Sequence, residues 1–379
     1  MELKGRVAVY FNSSPAEMTP EQRTRFVAAR VHLLAERGVA GVVAIDNPAA
    51  TEPTHWPAAY AHSVTIAAGD ASAAPNAAPA ALVGLRISAE AAPKLFAGTG
   101  TDASAILAAA EKGLPLDSME LKRSLRVRLS LREKEISSPN ILAVLPGSDP
   151  KLSAEYVALS AHLDGYGFGA AVDGDTLYNG TLDDAAYVAT LLELAHRQAA
   201  KPPARSLLFC IFTGEEKGLL GSVFFTQHPT VPIRSIVADL NLDQLRPIFP
   251  LRILTMEGIT DSTLAETAGR VASKYGIELR PDHEPERNLF RRADNYSFVR
   301  VGVPIASFIF GYDPGTEEGR LYRDWYARRY HKPQDDLDTP IDWEAAVKFN
   351  RFYGDLAGAV ADAASRPEWL SGSPNAPKR

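Results

Sequence analysis

The sequence predicts an α/β protein with a mixed, mostly parallel central sheet carrying helices on both faces, preceded by a smaller α/β domain. Three observations lead there. From Ile141 onward, strand and helix signals alternate, as they do in a sheet covered on both sides. The strand candidates in this half are apolar nearly throughout, the pattern of strands buried on both faces rather than one. Ahead of them, residues 7–45 read as strand, helix, strand.

Taken in order, Val7 to Phe11 is a short apolar strand. Thr19 precedes Pro20 at a first helical position, and Gln22, three residues after Thr19, completes a capping box. Phe26, Val27, Val31, Leu33 and Leu34 recur at roughly helical spacing until Gly38 stops the helix, and residues 41–45 return as a strand. Residues 67–81, mostly Ala with Pro and Gly, read as a low-complexity surface loop. Ser88 caps a short helix, and residues 103–112 form another. Leu125, Val127, Leu129 and Leu131 then alternate with polar residues, the period of a half-buried strand. The boundary is expected near 115, giving a first domain of residues 1–115 and a second of 116–379. In the second, strands are expected at 141–145, 156–161, 206–212, 236–242 and 303–310. Helices are expected at 185–198, 218–227, 262–275 and 343–364.

Length and composition narrow the partners. At 379 residues the chain has room for two domains or one enlarged one. A net charge of -6 points to neither nucleic acid nor an anionic membrane as partner. The one cysteine, Cys210, rules out an intrachain disulfide framework and sits in an apolar run, as a buried structural thiol would. No apolar stretch reaches the roughly 18 residues of a membrane-crossing helix. The first five residues lead directly into a strand, so no signal peptide is expected in this chain.

In an open α/β sheet, ligands gather at the carboxyl ends of the strands. Three strands here end in metal-ligand chemistry: one runs into His162-Leu163-Asp164, one into Glu215-Glu216 and one into Asp243. A two-metal hydrolytic site needs imidazole and carboxylate ligands, one bridging carboxylate and an open position for water. His162 and His331 can supply a nitrogen to each ion. Asp164 is close enough in sequence to orient His162 through its other ring nitrogen. Asp183 or Asp184, on the loop opening the helix at 185–198, is the candidate bridge; an Asp at a helix start also caps free N–H groups. In the adjacent Glu pair, Glu216 binds metal and Glu215 faces the water as general base. Asp243 completes the second ligand set. The first domain contains His32, His55 and His62 but no such grouping, so no catalytic role is expected of it.

The stretch Ser160-Ala-His162-Leu-Asp164, then Gly174-Asp175, Tyr178-Asn-Gly180-Thr-Leu-Asp183 and Gly214-Glu215-Glu216-Lys-Gly218, resembles the co-catalytic zinc exopeptidases that include aminopeptidase Y, bacterial leucyl aminopeptidases and plasma glutamate carboxypeptidase. Asn241-Leu-Asp243, Gly302-Val-Pro304 and Tyr330-His331-Lys-Pro-Gln-Asp335 continue the match in order, over residues 139–365. The resemblance implies two divalent ions, Zn2+, held by His162, Asp183, Glu216, Asp243 and His331. Asp183 rather than Asp184 is the bridge, Glu215 the base and Asp164 the partner of His162. It implies a zinc aminopeptidase-like fold and hydrolysis of N-terminal residues from peptides. A carboxypeptidase or dipeptidase of the same family is the alternative, with Arg287, Arg291 and Arg292 as candidate cations for a terminal carboxylate.

Residues 4–9 and 38–43 resemble the protease-associated insert of such enzymes, which implies a domain that shapes access and carries no catalytic residue. The resemblance also implies an exported protein, given in processed or trimmed form. Three departures stand out: Tyr187 where the family often has Gly, Asp184 where Asn is usual, and Asn295 where His is frequent. Two readings of other classes are a receptor-like interaction protein that has lost its ligands and a single-zinc glutaminyl cyclase. The first is opposed by the presence of every ligand type, the second by the insert.

Overall fold

The computed structural model describes residues 2–49, 64–67, 82–128, 130, 132–243 and 245–377. The chain divides into two compact units, one of residues 1–58, 76–136 and 284–288, the other of 59–75, 137–283 and 289–379. The second unit takes up the chain again at Ser137.

The first unit has a three-stranded parallel sheet in the order β1-β2-β3: β1 (Val7–Phe11), β2 (Gly41–Ile45) and β3 (Val83–Ile87). Helix α1 (Pro20–Glu36) connects the first two strands and begins in the expected capping box, with Gln22 N–H donating to Thr19 Oγ1 at 3.3 Å and Thr19 N–H to Gln22 Oε1 at 2.9 Å. After β3 come a short 3-10 turn capped by Ser88, then α2 (Pro93–Phe96) and α3 (Ala103–Glu111). Phe11, Ile45, Phe96 and Ile106 form the core between sheet and helices. β3 was not anticipated, because Val83-Gly-Leu-Arg-Ile87 is neither continuously apolar nor strictly alternating. The strand expected at 125–131 does not form over 125–128, where Leu125 and Val127 lie exposed without a ladder partner. Alternation describes a strand only when a neighbouring strand offers its N–H and C=O groups. Leu129, Leu131, His55, His62 and the loop residues 68–81 lie outside the described residues.

In the second unit, seven strands run in the order β11-β10-β12-β9-β5-β8-β4. These are β4 (Ile141–Leu145), β5 (Tyr156–His162), β8 (Ser206–Phe212), β9 (Ile236–Asn241), β10 (Ile253–Glu257), β11 (Glu278–Arg280) and β12 (Ile305–Gly311). β6 (Gly167–Val172) and β7 (Asp175–Tyr178) form a separate antiparallel hairpin. The helices are α4 (Ala186–Ala199), α5 (Leu220–Gln227), α6 (Leu264–Lys274), α7 (Asn295–Arg300), α8 (Glu317–Arg328) and α9 (Trp343–Ala361). Sequence periodicity anticipated four of these six; α7 is barely two turns long, and α8 is strongly charged. Both faces of the sheet are covered. Val157, Leu159 and Ala161 of β5 enter a core with Leu191 of α4 and Phe352 of α9, while Ala158 enters another with Cys210, Phe225 of α5 and Phe298 of α7. Cys210 is fully buried, as expected.

One consequence of this order positions the site. β9, β5 and β8 are adjacent and parallel, with His162 in register with Phe212 and Ser160 with Asn241. Their carboxyl ends therefore open side by side, bringing His162, Glu215 and Asp243 to one edge although they are widely separated in sequence.

Candidate metal centre

His162 ends β5 and is 1% exposed. Its Nδ1 lies 3.0 Å from the main-chain oxygen of Asp164, so a neutral imidazole donates there and leaves Nε2 with a lone pair. The Asp164 carboxylate stands farther off, at 3.6 Å, and accepts instead from the main-chain N–H groups of Glu215 at 3.1 Å and Glu216 at 3.3 Å. Asp164 thus orients His162 through its backbone, and its carboxylate ties down the turn that carries the Glu pair.

That turn needs special backbone. Gly214 and Gly218 have φ of 69° and 105°, flanking a 3-10 turn over Glu215–Lys217. Farther on, Gly221 packs so close to β8's exit that an added Cβ would stand 2.3 Å from Thr213 O. Glu216 then reaches His331 Nε2 at 3.3 Å, and Glu215 reaches His162 Nε2 at 3.9 Å.

Asp183 lies between the two histidines. Its Oδ1 is 3.4 Å from His162 Nε2 and its Oδ2 3.4 Å from His331 Nε2. The loop is held from below by Asp335, whose carboxylate accepts from the N–H groups of Leu182 and Asp183 and whose main-chain oxygen accepts from Thr181 N–H. Gly180, with φ of 74°, permits the approach, since a Cβ there would sit 2.3 Å from Asp183 O. Arg246, fully buried and stacked 4.0 Å over Trp325, donates to Leu182 O and lies 3.8 Å from Asp183 Oδ2. Tyr187 fills the space beside Arg246, where a glycine would leave a void. The peptide between Asp183 and Asp184 is cis, and Asp184 Oδ2 accepts from His162 N–H at 3.1 Å.

Two groups of ligand-type atoms result, each gathered within 4.8 Å: Asp183, Glu216 and His331 in one, His162, Asp184 and Asp243 in the other. All five residues implied as ligands fall in these groups, together with Asp184, which the resemblance set aside. Both lie in the second unit, and no such grouping occurs among the described residues of the first.

The electrostatics fit a cation site. Burial works against charge on Asp183, yet His162, His331 and Arg246 hold its carboxyl well below the usual range. Burial first, then neighbouring carboxylates, pushes Glu215 well up, Glu216 to about 7, Asp243 to about 6 and Asp294 to about 7. So many buried acids in so little space is unfavourable unless cations share it. His162 Nε2 and Asp183 Oδ2 are buried without a hydrogen-bond partner among the described residues; the first faces Asp183 Oδ1 and the second faces His331 Nε2, each at 3.4 Å. A mixed imidazole and carboxylate set suits zinc and its first-row neighbours.

Several contributors escaped sequence reading. Asp335 stood in the stretch carrying the resemblance, yet nothing in its spacing disclosed that it binds backbone. Arg246 and Tyr166 carried no signal. Of the three candidate arginines, Arg287 pairs with Glu284 and Arg291 stacks on Tyr296, while Arg292 reaches the site, donating to Tyr330 Oη at 2.9 Å and acting on Asp243. Asn295 donates to Phe290 O at 3.1 Å.

The chain is similar to several known proteins. Aminopeptidase YwaD of Bacillus subtilis (strain 168) is 25% identical over 207 residues, 53% of this chain and 40% of that protein. Leupeptin-inactivating enzyme 1 of Streptomyces exfoliatus is 25% identical over 217 residues, 54% of this chain and 45% of its own length. The aligned part is thus under half of either curated relative. The fold is shared with the aminopeptidase from Aneurinibacillus sp. strain AM-1, at a TM-score of 0.51 and 19% identity over 98% of this chain and 72% of that one. Residues 140–357, more than half of the chain and the whole span that supplies the clustered histidines and carboxylates, match the model for Peptidase family M28, and the chain belongs to that family.

Proposed function

We propose that this protein is a two-zinc exopeptidase that removes N-terminal residues from peptides, with His162, Asp183, Glu216, Asp243 and His331 as metal ligands and Glu215 as general base. The observation that carries the reading is the position of Asp183, one carboxylate oxygen toward each histidine at 3.4 Å. The names of relatives and neighbours support zinc and the amino terminus: YwaD is an aminopeptidase, and a Bacillus subtilis structure of the same fold is described as a zinc aminopeptidase. We read the first unit, with its parallel strand-helix-strand start, as a protease-associated insert.

When bound, two such ions would supply Lewis acidity and lower the pKa of water. The chain's own contribution is to hold and move a proton. Glu215, in a buried pocket beside His162, accepts the proton from the attacking water at its carboxylate and returns it to the departing amine. Asp164 fixes the backbone of that glutamate. A carboxypeptidase or dipeptidase reading draws on Arg292, the cation beside Asp243 and Tyr330.

The test is a panel of aminoacyl, dipeptidyl and N-blocked peptide substrates, assayed with zinc, cobalt or manganese added back to chelated protein. Hydrolysis confined to free amino termini is expected; equal rates on N-blocked peptides would rule out the aminopeptidase reading. Glu215→Gln should retain two ions per chain while lowering turnover by about 10²–10⁴-fold.

A further inference from the structure

The two histidines at the site are held differently. His162 is oriented by a main-chain oxygen, which no substitution at Asp164 removes. His331 has left-handed backbone, φ 55°, is stacked on Tyr330 at 3.6 Å, and has its Nδ1 3.2 Å from the hydroxyl of Tyr166. The Tyr166 ring meets the imidazole edge-on at 4.7 Å, and the Lys217 ammonium lies 4.8 Å over the same ring. Tyr166, Glu216, His331 and Asp183 line one small cavity, and the Tyr166 hydroxyl and the Glu216 carboxylate interact there.

A phenol has one proton to give and lone pairs to accept with. If it donated to His331 Nδ1, the imidazole proton would sit on Nε2, aimed at Asp183 and Glu216, and the nitrogen could not ligate. If it donates to Glu216 and accepts from Nδ1–H, each of the three groups is satisfied and Nε2 presents a lone pair toward Asp183 Oδ2 and Glu216 Oε2.

The backbone supports this placement. Tyr166 stands between Gly165 and Gly167 where the chain enters β6. The hairpin is tied to the His331 loop by Asn179 Nδ2 donating to Pro333 O and Gln334 Nε2 donating to Val172 O.

Resting on the two-metal reading above, we propose that Tyr166 is a positioning residue for one ion site alone. It selects the His331 tautomer that exposes Nε2 and holds Glu216 as its partner ligand, leaving the His162 site untouched.

The experiment is a metal titration of the full chain after chelation, with cobalt(II) followed by calorimetry and by its visible spectrum. The wild type should take two ions. Tyr166→Phe keeps the ring and its contact with Lys217, and should weaken one binding step about 10–100-fold with the other within about twofold. His331→Ala should abolish that same step, and adding Tyr166→Phe to it should leave the surviving step unchanged. Tyr166→Gln, whose amide can accept from Nδ1–H and donate to Glu216, should recover part of the loss and serves if the Phe variant does not fold. Two unaltered steps in Tyr166→Phe, or two steps weakened alike, would overturn this inference while leaving the two-ion reading intact. A wild type that binds fewer than two ions would overturn both.

Discussion

Asp335 Oδ2 accepts the main-chain N–H of Asp183 at 3.0 Å, so a residue 152 positions along the chain determines where the carboxylate between the two histidines stands. The same side chain accepts from Leu182 N–H. Asp335 is 1% exposed, so the two donors it satisfies are buried with it.

Asp335→Ala should therefore strand two buried donors. The expected cost is about 1–3 kcal/mol for each, read as a fall in the urea midpoint. Metal affinity should fall about 10–100-fold as Asp183 loses its support. An unchanged midpoint together with unchanged metal affinity would show that the loop holds its shape without Asp335.

Gly221→Ala should be destabilising out of proportion to one methyl group. The new Cβ would stand 2.3 Å from Thr213 O and 2.4 Å from Asn140 Oδ1, the side chain that joins Gly221 O to Thr213 N–H. Neither neighbour is a flexible side-chain end free to retreat. The expected loss is about 1–3 kcal/mol or more, checked by thermal unfolding.

Asp239, fully buried on β9, accepts from Ser160 Oγ at 2.7 Å, and burial raises its carboxyl well above the ordinary value. The native state then holds a proton that the unfolded chain has released. Stability from this group is complete below about pH 4 and is lost as pH rises toward the raised native value, by about 1.4 kcal/mol per pH unit. Asp239→Asn removes the titration. Urea midpoints at pH 5 and pH 8 should fall more steeply in the wild type than in the variant; parallel slopes would mean that Asp239 is not held protonated.

Thr19→Ala in the first unit should remove half of a reciprocal cap. About 1 kcal/mol of that unit's stability is expected to go, with Gln22→Ala adding little to the double variant because the two bonds belong to one box. Thermal unfolding of single and double variants measures this.

What the sequence alone determined about this protein is local or periodic. The Thr19 cap, the apolar strands of the second unit, most of its long helices, and the ligand-type residues at the ends of β5, β8 and β9 could be read because each rests on neighbours within a few positions. Strand-end placement alone pointed to His162, Glu216 and Asp243. Choosing Asp183 and reaching His331 required the wider resemblance, since no spacing links residues so far apart.

Tertiary structure decided the rest. The alternation at 125–128 became no strand because no ladder was offered to it, whereas β3, β10 and β11 formed on weaker patterns because neighbouring strands were there to pair. Asp184 came within reach of His162 and Asp243, and Asp335, Arg246 and Tyr166 came to surround Asp183 and His331, only once strand order had set β9, β5 and β8 side by side. A residue's ligand-binding or supporting role depends on the atoms within hydrogen-bond reach of it, and that distance is a property of the packed sheet, not of the order of letters.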